Sequence, residues 1–207
     1  LLALAAFASA ASIPLSVDRV TRDTPVTFGV PFPKGALLSP DHVRVLDQRG
    51  AEVPSQITEV TSWAPVDPSV QWIWVDFLTD GSKQYRLEYG SAVRRSAPVR
   101  SPLRIVNSQR QNGGIDVDTG AIRFHVARGE GGFIEDAELV TGDGAIKALK
   151  SPGGRGSFLD LLDDGGKDAS RAVVTFTTIE KGSGPLHAIL RIEGEYRLGV
   201  DNLLDLS

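Results

Sequence analysis

Residues 26–35 read "VTFGVPFPKG", and this stretch decides how the rest of the chain is read. Val26, Phe28 and Val30 alternate with Thr27 and Gly29, which is the period of a half-buried strand. Pro31 and Pro33 then remove two amide donors, so the segment must be a sheet edge or an exit from it. Gly29 permits close backbone approach or a kink. Phe32, framed by two stiff residues, loses little entropy on insertion. It is read as a packing plug at a barrel rim, the alternative being a surface platform for a sugar ring or a neighbouring domain.

The β pattern extends in both directions. Ile13, Leu15 and Val17 alternate, and residues 42–60 hold two strands joined at Gln48-Arg49-Gly50, a hairpin turn with glycine for the left-handed position. In "VQWIWVDFLT", residues 70–79, both alternating sets are mostly apolar, which predicts a strand covered on both faces. Tyr85, Leu87 and Tyr89 mark one further strand. Residues 90–102 are polar, carry Pro98 and Pro102, and read as a connector. Beyond it, "IDVDTGAIRFHVAR" is a strand, a turn at Asp118-Thr119-Gly120 and a strand over 121–127. Residues 133–141 and a long hairpin over 171–198, turning at "KGSGP", continue in strands, while "GSFLDLLDD" is read as a single helical turn. Turn signals about every 8–12 residues define a sandwich or barrel rather than a parallel α/β sheet.

The 207 residues carry 22 Lys and Arg against 26 Asp and Glu, a net charge of −4 with no charge block. A nucleic-acid module shows a basic face, and none is present, so no nucleic-acid partner is expected. The chain has no cysteine, which removes disulfide frameworks, thiolate metal sites and cysteine nucleophiles. "LLALAAFASAAS" is apolar and ends in small residues with Ala8-Ser9-Ala10 in an A-x-A pattern, as in a secretory signal without its basic start. It is too short for a membrane span, so no membrane partner is expected. Residues 1–12 are therefore read as a signal-peptide remnant, the protein as secreted or periplasmic, and the chain as cut at both ends.

"VTFGVPFPKGALLSPDHVRVLDQRGAEVPSQ", with "SVQWIWVDF", "YRLEYG" and "DTGAIRFHV", resembles the front of the exo-acting rhamnogalacturonan lyase family. The specific elements are "FGVPFPKG" and "VDTGAIRF". The resemblance covers residues 17 to 200, and departs from the family's W-x-DGS step, which here reads "WAPVDPSVQW" from Trp63 to Trp72. It implies an all-β fold, with a small N-terminal RIFT-type β-barrel over residues 13–105. The beginning of a central β-sandwich follows over residues 106–207, truncated at its C-terminal end. It also implies a large secreted polysaccharide lyase whose C-terminal α/α toroid packs on these units beyond Ser207 and carries the catalytic residues. The polymer partner would be an acidic, pectin-type polysaccharide bound through the full-length protein. The other reading is a secreted carbohydrate-binding or adhesion β module without catalytic activity; a self-contained small hydrolase ranks last.

Lyase chemistry of this kind needs three things: a neutralised uronate carboxylate, a base for the C5 proton and an acid for the departing oxygen. The sequence offers only scattered pieces, so no catalytic, cofactor-binding or metal residue is assigned and no cofactor is named. His125 shares a strand face with Arg123 and could meet an acidic sugar, but an alternating polar face is usually just solvated. His42 follows "SPD" in a loop, His187 follows the hairpin turn, and Lys34 stands beside Gly35. Asp160, Asp163, Asp164 and Asp168 could supply a Ca²⁺ site but lack the EF-hand order, so an Asp/Gly loop is the reading. Asp76 is read as a half-buried carboxylate bonded to neighbouring backbone or an arginine. Of the three tryptophans, Trp72 and Trp74 read as core, and Trp63, before Ala64-Pro65, as the better candidate for exposure.

Overall fold

A computed structural model describes residues 10–18, 21–100, 103–111, 113–130, 134–147, 160–162, 168–180, 182–198 and 201–206. The chain divides into two compact units, Leu1–Arg100 and Ser101–Ser207, and the strand pairing among the described residues is antiparallel. Residues 1–9, most of the expected leader, lie outside the described residues.

The first unit contains β1 (Ala11–Ser16), β2 (Arg22–Pro31), β3 (Val43–Asp47), β4 (Glu52–Val53), β5 (Ser55–Ser62), β6 (Val70–Asp80) and β7 (Gln84–Tyr89). They form one sheet in the order β1-β7-β3-β4 and another in the order β2-β6-β5. Alternation explains the core: Leu15 from β1, Val43 and Val45 from β3, Ile73, Val75 and Phe77 from β6, and Tyr85 and Leu87 from β7 meet in one buried cluster. Phe77 lies 4.8 Å from Tyr85 and 6.0 Å from Phe28, ring centre to ring centre. β1 begins at Ala11, so Ala11 and Ser12, expected in the leader, are paired with Tyr89 and Glu88 of β7.

β2 is an edge strand, as its prolines require. Pro31 stands opposite Trp72, and the chain then turns inward so that Phe32, 2% exposed, drops into the core against Tyr89 at 4.9 Å, edge to face. The plug reading of Phe32 is correct; it is not a surface platform.

β6 corrects the expectation of a strand covered on both faces. Thr61 stands opposite Trp72 and Ser62 opposite Val70, so β6 spends an extra residue at Gln71. That bulge flips the alternation. Val70 faces the core together with Ile73, Val75 and Phe77, while Trp72 comes out to 38% exposure and Trp74 is half-buried.

The connector stays with the first unit. Glu52 accepts hydrogen bonds from the Ser96 amide (2.9 Å), the Ser96 hydroxyl (2.7 Å) and the Ala97 amide (3.1 Å). Arg95 donates to the Ser55 carbonyl and Val93 is buried. These ties hold the chain to the barrel as far as Ala97. Arg104 and Ile105, placed at the end of the first domain from the sequence, instead begin the first strand of the second unit.

The second unit contains β8 (Arg104–Asn107), β9 (Ile115–Asp118), β10 (Ile122–Val126), β11 (Gly129–Glu130), β12 (Ile134–Thr141), β13 (Gly144–Lys147), β14 (Asp160–Leu162), β15 (Asp168–Ile179), β16 (Leu190–Leu198) and β17 (Asp201–Leu206). One sheet runs β13-β12-β10-β9-β8; the other runs β11-β15-β16-β17 with β14 on β15. Residues 160–162 are thus a strand rather than the expected helical turn. Ile115, Val117 and Val126 from the first sheet pack with Leu190 and Ile192 of β16, the face-to-face packing of a sandwich. The fold is all-β, and the only helical element among the described residues is the single 3-10 turn Pro40–His42.

Candidate functional site

The inner face of the first sheet of the second unit carries Ile105, Val117 and Phe124 in one cross-strand row. Alternation therefore turns Arg104, Asp118, Arg123 and Glu138 outward, and the register sets them side by side on β8, β9, β10 and β12. The row alternates in sign, the arrangement in which directly opposed charges attract. Arg123 Nε donates to Asp118 Oδ2 at 2.9 Å, while Asp118 Oδ1 accepts from the Gly120 amide at 2.8 Å. The Gly120 amide and the Arg123 guanidinium hold the Asp118 carboxyl below the usual carboxylate range.

The next row holds Val106, Asp116 and His125. His125 lies on the outer face, yet it is 0% exposed, because the loop from β8 to β9 folds over it. A Cβ on Gly114 would stand 3.0 Å from His125 Cε1 and 2.2 Å from the Val126 carbonyl oxygen, so only glycine fits, at φ +96°. His125 Nδ1 is 2.8 Å from Asp116 Oδ1 and donates to it, which fixes the tautomer; Nε2 is buried with no partner among the described residues. Burial pushes the Asp116 carboxyl up, but hydrogen bonds from Ser108 and His125 and the positive charge of Arg110 outweigh it and hold it low. The sequence-based reading of His125 as solvated is wrong: its surface position is roofed over.

The same loop brings Arg110 to Asp116 (3.7 Å) and Asp136 (3.1 Å). Arg123 is opposite Glu138, but His125 is opposite Glu135, so β12 bulges at Asp136 and Ala137, with Asp136 at φ +22°. Bulge, loop and sheet together enclose a cleft of about 340 Å³. Arg104, Arg110 and Arg123 line it with Asp116, Asp118, Asp136 and Glu138, beside Val106, which is 50% exposed. Arg123 was legible from the sequence; the others were not.

The remaining candidates are structural or separate. His42 Nδ1 lies 3.1 Å from Arg94 Nη1 and 3.2 Å from the Val93 carbonyl, pinning the connector. Asp76 is buried and accepts from Thr27 Oγ1 at 2.5 Å. Trp63 is half-buried and donates from Nε1 to the Phe32 carbonyl at 3.2 Å, bracing the corner. The exposed tryptophan is Trp72, against expectation. Lys34 is exposed, and His187, in the second unit, is half-buried. Asp163 and Asp164 of the proposed Ca²⁺ loop lie outside the described residues, as do the side chains of Asp160 and Asp168. Among the described residues, no three His, Cys, Asp or Glu side chains are grouped to hold a metal ion, and no helix is long and apolar enough to cross a membrane.

An antiparallel barrel with a proline-terminated edge strand and an inserted aromatic plug defines the first unit as a small RIFT-type barrel. Residues 15–88 match the family described as the PcRGLX-like N-terminal RIFT barrel domain. No curated protein matches the chain.

Proposed function

We propose that these two units are the N-terminal, non-catalytic β region of a secreted polysaccharide lyase similar to the rhamnogalacturonan exolyases. The observation that carries this reading is the barrel over residues 15–88. The parent enzyme opens an acidic pectic polymer by β-elimination: a base takes the C5 proton and an acid protonates the departing oxygen, while positive charge neutralises the uronate carboxylate. In this reading those groups belong mainly to an α/α toroid that packs on the present units, and the barrel and sandwich shape one wall of the substrate cleft. The use of polar groups within the chain supports a scaffolding role. His42 ties down the connector, and His125 is sealed against Asp116. Export is supported by the leader-like "LLALAAFASAAS".

The test is the product formed from pectic rhamnogalacturonan by the protein encoded by the complete gene. Elimination leaves an unsaturated, ultraviolet-absorbing sugar at each new end; new reducing ends without that absorbance mean hydrolysis and overturn the proposal. A second reading, a carbohydrate-binding module without an enzyme, is supported by the exposed ring of Trp72. An early stop or further β modules after residue 207 would favour it, and a helix-rich continuation would favour the lyase.

A further inference from the structure

We propose that the outer cleft of the second unit is a saccharide-binding subsite, built for an uncharged, hydroxyl-rich chain laid across β8, β9, β10 and β12. The inference rests on the reading of the parent as a glycan-handling protein and adds to it a site on the β region itself.

Three observations carry it. The first is room: about 340 Å³ lies at the lower end of the range for small-molecule pockets. The second is charge. Three arginines face four carboxylates, so the lining carries one excess negative charge. Much of that charge is already matched inside the protein, by Arg123 with Asp118 and by Arg110 with Asp116 and Asp136. A phosphate or a polyuronate would meet an excess of carboxylate, and a polycation would meet the guanidiniums. A sugar hydroxyl both donates and accepts, so it fits between a guanidinium and a carboxylate without disturbing either.

The third is what the matched pairs leave over. Arg104 at one end of the row acts on Asp118 only across space, and among the described residues neither it nor Glu138 at the other end closes a salt bridge within 4.0 Å. They stand three strand spacings apart, about 14 Å, a span that calls for an oligosaccharide rather than a single ring. Between them the paired groups are held in place before any ligand arrives, which lowers the cost of ordering on binding. The exposed Val106 supplies an apolar surface for the C–H face of a sugar ring. The Asp136 bulge and the Arg110 loop wall the cleft.

The experiment is a titration of the 207-residue chain followed by amide NMR shifts, using β-1,4-linked galactotetraose and, separately, tetragalacturonate. The neutral tetramer is expected to move the amides of residues 104–106, 116–118, 123 and 138. The anionic tetramer is expected to bind about tenfold more weakly at low salt, with the gap narrowing as salt screens the carboxylates. Arg104→Ala should weaken the neutral ligand about fivefold, and Glu138→Gln should strengthen the anionic one. Both side chains lie on the outer face, and an unchanged unfolding midpoint verifies each fold. No shifts with either ligand, or tetragalacturonate binding as tightly as galactotetraose, would overturn the proposal. Binding here without elimination by the parent protein would sink only the lyase reading; elimination without binding here would sink only this one.

Discussion

The Nε1–Cζ2 edge of the Trp72 indole rests directly on Gly29, two strand residues before the Pro31-Phe32-Pro33 corner. A Cβ at Gly29 would lie 2.7 Å from Cζ2 and 3.0 Å from Nε1. Gly29→Ala therefore displaces the ring, at a cost of about 1 kcal/mol, the low end for overpacking, because an exposed side chain can swing away. Trp72→Ala in the same chain should abolish that penalty. A double-mutant cycle by denaturant unfolding measures the coupling; additive effects would show that the two residues do not touch.

Phe32 is the plug of the barrel, buried against Tyr89 at the point where β2 leaves its sheet. Phe32→Ala should cost about 3–5 kcal/mol, as expected for a large core ring, and Phe32→Leu much less. A small loss of unfolding free energy for the alanine variant would return Phe32 to the role of a surface platform.

Tyr85 donates its hydroxyl to Asp80 at 2.6 Å, linking β7 to the end of β6. The hydrogen bond from Tyr85 lowers the Asp80 carboxyl to about 2, and burial, with the same bond, raises the Tyr85 phenol to about 12. For Asp80 the stabilising contribution is present above the unfolded carboxylate pKa near 4 and disappears as pH falls towards about 2. For Tyr85 it is intact below about 10 and is lost as pH rises towards about 12. Tyr85→Phe should flatten both limbs of the stability–pH curve, the acid one between about 4 and about 2 and the alkaline one between about 10 and about 12. Unfolding midpoints at closely spaced pH values decide this; identical limbs in both proteins would contradict it.

Much of this architecture was legible in the sequence. Alternating residues marked β2, β6 and β7, prolines marked the edge, and Gly50 and Gly120 marked turns that do adopt positive φ. The failures share a cause. One extra residue at Gln71 brings Val70 to the core face beside Ile73, leaving Trp72 outward, and another at Asp136 and Ala137 resets β12 against β10. A bulge changes which face every later residue occupies, and nothing in the local composition announces it. The cleft was invisible for a related reason. Arg104, Asp118, Arg123 and Glu138 come from four strands, and only their mutual register makes them neighbours. His125 was misread because alternation gives the face but not the loop that folds over it.

Buried His125 and its partly exposed partner Asp116 should behave as a unit. Asp116→Ala leaves the covered ring without its acceptor and should cost about 2 kcal/mol, the scale for a hydrogen bond to a charged group. Adding His125→Phe should recover part of that loss, since replacing both partners by apolar groups is far cheaper than stranding one. Urea unfolding of the three variants measures this, and a harmless Asp116→Ala would show that the contact contributes nothing.

The scaffolding account is tested most directly by comparing the 207-residue chain with the complete protein on pectic rhamnogalacturonan. Ultraviolet absorbance of the unsaturated product is followed at equal molar concentrations. The account predicts steady product from the complete protein and none from the barrel and sandwich alone. Sustained turnover by the isolated chain would contradict it, since the reactive groups would then lie within these strands.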